Sequence, residues 1–359
     1  MAKLGDVCKI QSGGTPSRAA SAYWENGQIP WVKISDIKGK YLSTTEEYIT
    51  QTGLENSAAK IFPAGTILYT IFATLGETCI LDIAACTNQA IAGIQLNTDK
   101  LCLDYLYYYL LSQKATVTAM GRGVAQNNIN LKMLREMEIP IPPLNEQRRI
   151  AAILDKVTDL INKRRAQMDK LDLLVKSRFI EMFGDPVKNN KCLPTMKGKD
   201  FFKLSNGKFV PENKRFDEGI PAYGGNGISW YTNEILCKEN TIVVGRVGFQ
   251  SGNVHFAKGP LWVTDNAMYI SNYNAKKCDL EFLYILMEHI NFMRFQDAGD
   301  LKKITQKPFM NMEYIVPALP QQCEYVAFAE KANILKSEIQ RNIGKLNMLE
   351  RALVQQFFE

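Results

Sequence analysis

The chain has 359 residues, of which 46% are hydrophobic and 22% are charged, and its formal net charge is +6. This length predicts more than one domain, and this apolar fraction excludes a generally disordered chain. Nothing approaches the ~18 consecutive apolar residues of a membrane helix, and residues 1–11 lack a signal-peptide core, so we expect no membrane association. The mild positive charge suits a polyanion-binding protein without requiring one.

Residues that commonly carry catalysis or metal binding are sparse. The eight cysteines are scattered with no CxxC pair, which favours a reduced, cytoplasmic protein and disfavours structural zinc. The sequence has two histidines, His255 and His289, and neither has a partner at metal-ligand spacing. Ser/His/Asp or Cys/His catalysis would need one of them, and no Walker loop or dinucleotide-binding glycine pattern is present. The sequence therefore predicts a chain without catalytic residues or a metal site.

A mixed α/β domain is predicted over positions 1–143. Short β-branched and aromatic runs such as IPWVKISDI (29–37) and GTILYT (65–70) predict strands. The run CLDYLYYYLLSQ (102–113) predicts a helix with one apolar face, and the turn-rich segment 11–28 predicts an exposed loop.

A long helix is predicted to follow over residues 144–184. Pro142 and Pro143 end the preceding segment, apolar residues then recur at steps of three and four, and Gly184 ends the pattern. At 1.5 Å per residue this helix is roughly 58 Å long, and its narrow apolar seam requires a second long helix beside it. The seam residues we assign to it are Ile150, Leu154, Val157, Ile161 and Leu171.

The second long helix is predicted over residues 320–359. The constant offset that aligns Gln147 with Gln322 also aligns KLDLLVKSRFIEMF (170–183) without a gap with KLNMLERALVQQFF (345–358). The predicted seam residues of this helix are Leu335, Ile339, Leu346 and Leu349. The similarity continues upstream, where KLGDVCKIQSGG (3–14) resembles KGKDFFKLSNGK (197–208). We infer a duplicated unit, with domains at 1–143 and 197–319 and a linker at 185–196.

Two regions carry a resemblance to a known family. The segment AQNNINLKMLREMEIPIPPLNEQRRIAAILDKVTDLI (125–161) resembles the central conserved region of the specificity (S) subunit of type I restriction–modification systems. The segments GIPAYGGNGISWY (219–231) and TIVVGRVG (241–248) resemble part of a target recognition domain of that family. The second long helix departs from the pattern, since Gln321 replaces Glu146 and the Ile-Leu pair is lost.

The resemblance implies an α+β fold. Two mixed α/β target recognition domains would be separated by an antiparallel, coiled-coil-like pair of long helices, with an internal pseudo-two-fold repeat. Each domain would read one half of a bipartite double-stranded DNA site. The helices would set the spacing and dock two methyltransferase (M) subunits, and restriction (R) subunits would join the complex. This chain would hold no cofactor, whereas S-adenosylmethionine, ATP and Mg would be bound by the partner subunits.

Loops that follow strands and carry cations, amides or hydroxyls are the predicted DNA contacts, since these groups hydrogen-bond to phosphates and base edges. In the first domain we assign Thr15, Ser17, Arg18, Lys33, Arg122, Gln126, Asn127 and Asn128. In the second domain we assign Tyr223, Asn226, Arg246, Gln250, Lys302, Lys303 and Thr305.

Other functions remain open at the level of sequence. A structural coiled-coil scaffold would dimerise stably without binding DNA, although Arg164, Arg178 and Asn342 interrupt the apolar seam and argue against it. The recognition subunit of another restriction–modification type is a further alternative. A DNA-cleaving or methylating enzyme would need a metal-binding carboxylate set or a cofactor motif, which the sequence does not present.

Overall fold

A computed structural model describes residues 1–121, 128–299 and 302–358. The chain divides into two compact units, the first formed by Met1–Arg165 with Arg341–Glu359 and the second by Ala166–Gln340. Each long helix therefore contributes residues to both units. Among the described residues, no helix is long and apolar enough to cross a membrane.

The elements of the first unit begin with short strands and end with a long helix. Its described strands are β1 (Ala2–Lys3), β2 (Cys8–Ser12), β3 (Ile29–Val32), β4 (Tyr41–Leu42), β5 (Glu47–Ile49), β6 (Ile67–Thr70), β7 (Thr78–Leu81), β8 (Cys86–Thr87), β9 (Ile91–Leu96) and β10 (Glu138–Ile139). Its described helices are α1 (Leu4–Val7), α2 (Gln51–Glu55), α3 (Leu103–Ser112), α4 (Lys114–Gly121), α5 (Leu131–Glu136) and the long α6 (Leu144–Phe183), with 3-10 turns at Ser21–Tyr23 and Ile34–Asp36.

The main sheet of the first unit has the strand order β2-β9-β6-β7-β4. Its centre is fully buried, since every residue of β6 and β7 is buried. A smaller sheet has the order β5-β3-β8, and β1 pairs with β10. Helix α3 covers the core with Tyr105, Leu106 and Leu110, and Leu154 of α6 joins the same cluster.

The second unit repeats these elements. Its described strands are β11 (Thr195–Lys197), β12 (Phe202–Asn206), β13 (Ile220–Gly224), β14 (Gly227–Thr232), β15 (Thr241–Gly245), β16 (Val254–Ala257), β17 (Trp262–Val263), β18 (Ala267–Tyr273) and β19 (Glu313–Ile315). Its described helices are α7 (Leu280–Ile290), α8 (Lys307–Asn311) and the long α9 (Leu319–Phe358), with 3-10 turns at Gly198–Asp200, Glu212–Lys214 and Phe292–Phe295.

The sheets of the second unit repeat the strand order of the first, except that β4, the edge strand of the first main sheet, has no counterpart in the described second unit. The main sheet has the order β12-β18-β15-β16, the smaller sheet has the order β14-β13-β17, and β11 pairs with β19. These strands correspond in chain order to β2-β9-β6-β7, β5-β3-β8 and β1-β10. The duplication inferred from the sequence is therefore confirmed. Residues 195–196, which were assigned to a linker, instead form part of β11.

The long helices run antiparallel within each unit. In the first unit, Thr158 donates a hydrogen bond of 3.1 Å to Glu350, and the Arg149 guanidinium lies 6.0 Å from the ring centre of Phe357. In the second unit, Lys336 is 2.5 Å from Asp172, and Arg178 is 3.0 Å from Glu324. Contact positions rise along α6 as they fall along α9, as antiparallel pairing requires.

The seam of α6 is buried at Ile150, Leu154, Val157 and Ile161, and Leu171 is half-buried. The assigned seam of α9 needs correction, because Leu335 and Leu349 are 49% and 47% exposed. The inward positions of α9 follow a heptad spacing that includes Ala329, Ala332, Lys336, Ile339, Ile343, Leu346 and Glu350, all buried or half-buried. Two of these inward positions are occupied by polar residues, Lys336 and Glu350, which contact α6. The leucine before each of them therefore lies one position outside the seam.

Candidate nucleic-acid interface

In the second unit, three loop segments meet at the ends of strands. They are residues 223–227, 246–253 and 302–305, which we call the second-unit loop cluster. The Gly248 N–H donates to the Lys302 carbonyl at 2.8 Å, and the Ile304 N–H donates to the Arg246 carbonyl at 3.0 Å. The Gly225 carbonyl approaches Gly245 so closely that a β-carbon there would clash. These contacts hold the three segments together.

All seven residues predicted for the second domain lie in this cluster. The carbonyl of Tyr223 accepts from the Thr264 N–H at 2.9 Å, and Asn226 lies in the adjoining β13–β14 turn. Among the described residues, the Arg246 guanidinium and the Lys302 ammonium contact the main-chain carbonyls of Asp265 and Asp297, at 3.3 and 3.4 Å, and no carboxylate pairs with either cation. Both side chains keep their positive charge available to an anionic ligand.

The remaining polar residues of this cluster are arranged by local hydrogen bonds. Gln250 accepts from the Asn253 amide at 2.7 Å, and the Lys303 N–H donates to the Asp297 carboxylate at 2.8 Å. Lys303 and Thr305 are exposed. The structure thus brings together cations, an amide and a hydroxyl, which are the groups that contact phosphates and base edges.

The first unit contains the same junction, at the offset that relates Gln147 to Gln322. The bridge between Phe72 and Asn128 corresponds to the bridge between Val247 and Lys303. The Ile129 N–H donates to the Ile71 carbonyl at 3.1 Å, as the Ile304 N–H does to Arg246. Asn128 therefore occupies the position of Lys303. The predicted contacts Arg122, Gln126 and Asn127 lie outside the described residues.

The predicted cations of the first domain form a separate group around Glu47. Glu47 pairs with Arg18 at 2.5 Å and with Lys33 at 2.9 Å. Burial acts to raise the pKa of Glu47, but hydrogen bonds from Lys33 and Arg18 outweigh it and hold the pKa below its usual value. Both cations are thus already paired with a carboxylate, whereas Arg246 and Lys302 have no carboxylate partner within the part of the chain that the structure describes. A phosphate would have to compete with Glu47 for them.

The loop that carries Arg18 is anchored by tryptophans. The Arg18 guanidinium lies 3.7 Å from the centre of the Trp24 ring and 4.8 Å from that of Trp31. The Trp31 indole donates to the Gly14 carbonyl, and the Trp24 indole donates to the Ser17 carbonyl, both at 3.0 Å. Thr15 donates from its hydroxyl to Gln89. The segment predicted as an exposed loop is therefore fixed onto the smaller sheet.

Two exposed aromatic residues were missed from the sequence. Phe72, which is 46% exposed, lies in the loop after β6, and Phe249, which is 82% exposed, lies in the loop after β15. A phenylalanine near a strand-like run is usually a core residue, so sequence patterns alone do not single out either position. Glycines on either side of Phe249, at 248 and 252, were the available signal for a turn.

The structure defines the metal-binding potential of the described residues and the surroundings of the two histidines. Within the described ranges, no cluster of three or more His, Cys, Asp or Glu residues could hold a metal ion. The ring of His289 stacks on Phe179 at 4.0 Å, and the buried Nε2 of His255 has no hydrogen-bond partner in the described structure. Burial lowers the pKa of both histidines.

Comparison with known proteins identifies a family. A family model described as "Type I restriction modification DNA specificity domain" matches residues 1–170 and 193–350. The specificity subunit of the type I restriction enzyme EcoprrI of Escherichia coli is 23% identical over 358 residues, covering 94% of this chain and 88% of that protein. The MjaIX specificity subunit of Methanocaldococcus jannaschii is 31% identical over 196 residues, covering 53% of this chain and 45% of that protein.

A solved structure shares the fold. The S subunit of a type I restriction–modification system from M. genitalium aligns with a TM-score of 0.63 at 16% identity, over 99% of this chain and 95% of that chain. At this identity the match concerns the fold alone.

Proposed function

This chain belongs to the family of type I restriction modification DNA specificity domains, and on that premise we propose that it is the DNA-recognition subunit of such a system. Each of its two domains reads one half of a bipartite site in double-stranded DNA. The long helices set the distance between the half-sites and dock two methyltransferase subunits. Catalysis belongs to those methyltransferase subunits and to restriction subunits, which would bind S-adenosylmethionine, ATP and Mg.

The observation that carries this proposal is the loop junction that recurs in both units. The same backbone hydrogen bond joins residues 71 and 129 in the first unit and residues 246 and 304 in the second. Polar or cationic residues stand beside both copies, Asn128 in one and Lys303 in the other. Different side chains on the same frame suit two domains that read two different sequences.

Exposed apolar side chains on the long helices support the docking of partner subunits. In the first unit, Leu160, Met348 and Leu349 are 46%, 71% and 47% exposed. In the second unit, Leu173 and Ile334 are 65% and 60% exposed. Such residues lie outside the seam that joins α6 to α9. Apolar surface on otherwise charged helices is typical of a protein interface.

Methylome sequencing tests the proposal. Cells that express this chain with its cognate methyltransferase subunit should acquire methylated adenines in one bipartite motif. Cells that express the methyltransferase subunit alone are the control and should lack that motif. If the full set of subunits methylates no defined motif, or if the motif is unchanged when this chain is replaced by a relative, the proposal is wrong.

A further inference from the structure

We propose that Phe249 is a base-contacting residue of the second recognition domain, whose ring packs against the base stack of its half-site. This inference rests on the proposed function. The side chain of Phe249 is 82% exposed, compared with 64% for Phe209 and 71% for Met348. An apolar ring that is this exposed, in a loop with one cation and three uncharged polar residues, gains little from the fold itself.

The loop that carries Phe249 is rigidly held. The Gln296 side-chain amide donates to the carbonyls of Phe249 and Ser251, at 3.1 and 2.6 Å. The Gly252 N–H donates to the Gly245 carbonyl at 2.8 Å. The exposure of the ring is therefore a property of a fixed backbone, so little conformational entropy is lost when the ring meets a ligand.

Glycines impose the conformation of this loop. Gly248 has φ +96° and Gly252 has φ +94°, values that L side chains rarely adopt. A β-carbon at Gly252 would also clash with the backbone of Phe292 and Met293. Between these two turns the Phe249 ring is exposed, although Gly252 contacts the backbone of Phe292, whose side chain belongs to the apolar core of this unit.

The charge around the ring identifies the ligand class. Arg246 lies in the same loop, and Lys302 and Lys303 lie on the segment bonded to it. An apolar partner protein would have to bury these cations, whereas a DNA duplex presents phosphates to them and stacked bases to the ring. Phenylalanine is one of the side chains that DNA-binding proteins insert between base steps.

The first unit has a comparable feature. Phe72 is 46% exposed in the loop after β6, which corresponds to the loop after β15. Its neighbour Ile71 is bonded to Ile129 as Arg246 is bonded to Ile304. Both units therefore place an exposed phenylalanine beside the junction that carries their polar residues.

Binding assays with the complete complex of this chain and its methyltransferase subunits test the inference. The DNA carries 2-aminopurine at successive positions of the methylated motif, because the fluorescence of this base rises when it is unstacked. Phe249→Ala should weaken specific binding by about 5-fold to 150-fold, the range for one base–aromatic contact. The salt dependence of binding should not change, since no charge is removed. With the wild-type chain, 2-aminopurine at the bases contacted by Phe249 should become brighter when the complex binds. With Phe249→Ala this rise should disappear at neighbouring positions of one half-site.

Two further variants keep the test decisive. Phe249→Trp should retain the affinity, and its own fluorescence should be quenched by stacking when DNA is added. Val187→Ala, which shortens an exposed apolar side chain in the Asp185 turn of the same unit, should behave as wild type. Wild-type affinity and wild-type 2-aminopurine signals for Phe249→Ala, or an unquenched tryptophan, would overturn the inference. A wild-type complex that selects no DNA sequence would instead reject the proposed function itself.

Discussion

Gln147 and Gln322 occupy equivalent positions in the two copies of the duplicated unit and make the same three hydrogen bonds. Gln147 accepts from the Cys102 N–H at 2.8 Å and donates to the carbonyls of Lys100 and Pro142, both at 2.8 Å. Gln322 accepts from the Asp279 N–H at 2.9 Å and donates to Lys277 and Pro317, at 3.0 and 2.7 Å. Each glutamine is fully buried and ties the start of its long helix to the N-cap residue of α3 or α7.

Replacing either glutamine should therefore destabilise its unit. Gln147→Leu removes the partner of the Cys102 N–H and of two carbonyls at a partly buried junction, at a cost of about 1–3 kcal/mol for each group that water cannot reach. Gln322→Leu should have the same effect in the second unit, whereas Gln321→Leu at the exposed neighbouring position should change the free energy of unfolding by less than about 0.5 kcal/mol. Urea unfolding measures all three. Equal stability of the Gln322 and Gln321 variants would contradict this role.

The corrected seam of α9 predicts which substitutions disrupt helix pairing. Leu154→Asp and Ile343→Asp bury an unpaired charge and should each cost about 3–5 kcal/mol. Leu171→Asp and Leu346→Asp, at half-buried positions, should cost less. Leu349→Asp is the matched control, since its exposed side chain should tolerate the charge. Thermal unfolding separates these classes, and a destabilised Leu349→Asp variant would restore the original seam assignment.

Although Leu349→Asp should fold normally, it should weaken the binding of partner subunits. If the exposed apolar residues of the helices dock the methyltransferase subunits, a folded Leu349→Asp chain should bind them more weakly than wild type. Titration calorimetry with the purified methyltransferase subunit measures this difference.

Substitutions in the two domains should affect different half-sites. Changing Gln126, Asn127 and Asn128 together to Ala should relax recognition of one half-site, at roughly 1–3 kcal/mol for each lost base contact. Changing Arg246, Lys302 and Lys303 to Ala should act on the other half-site and reduce the salt slope by about one unit for each lost phosphate contact. Selection of bound sites from a random pool reports both effects. Equal disturbance of both half-sites by each set would reject the model of two readers.

An insertion in the helices tests whether they set the spacing. Four residues inserted between Ala166 and Gln167, one residue past the boundary between the two compact units, would add roughly 6 Å. Because B-DNA rises about 3.4 Å per base pair, the gap between half-sites should grow by about one to two base pairs while the half-site sequences stay the same.

The insertion also has a cost. Four residues are not a heptad, so the seam rotates and stability should fall unless a matching insertion follows Arg341. Mapping methylated sites with the inserted chain measures the gap. An unchanged gap in a folded, active complex would show that the spacing is set elsewhere.

Stability should fall in mild acid through the two half-buried histidines. Burial, with a smaller contribution from Lys176, lowers the pKa of His289 from its usual 6.5, so the folded state disfavours the charged ring. The unfolded chain binds more protons as the pH drops below about 6.5, and the free energy of unfolding should decrease until the pH passes the lowered pKa. His289→Phe should flatten part of this profile, and His255→Phe another part, in thermal unfolding at a series of pH values. A profile unchanged in the double variant would contradict this assignment.

The sequence by itself determined the duplication, the two long helices and their starts near Leu144 and Leu319. These features depend on local patterns: prolines before a helix, apolar residues at steps of three and four, and a constant offset that aligns Gln147 with Gln322. Local patterns also located most of the polar residues of the second-unit loop cluster, because turn residues after strands are recognisable without their neighbours.

Only the tertiary structure decided the register of α9, the pairing of the cations and the exposure of Phe249. Lys336 and Glu350 lie in the seam because Asp172 and Thr158 of α6 bind their polar groups. No pattern within α9 alone contains that information. Arg18 and Lys33 are held by Glu47, which is brought to them by strand pairing between β3 and β5. Burial and electrostatic pairing depend on residues distant in the chain, whereas helix and turn propensity depend on adjacent ones.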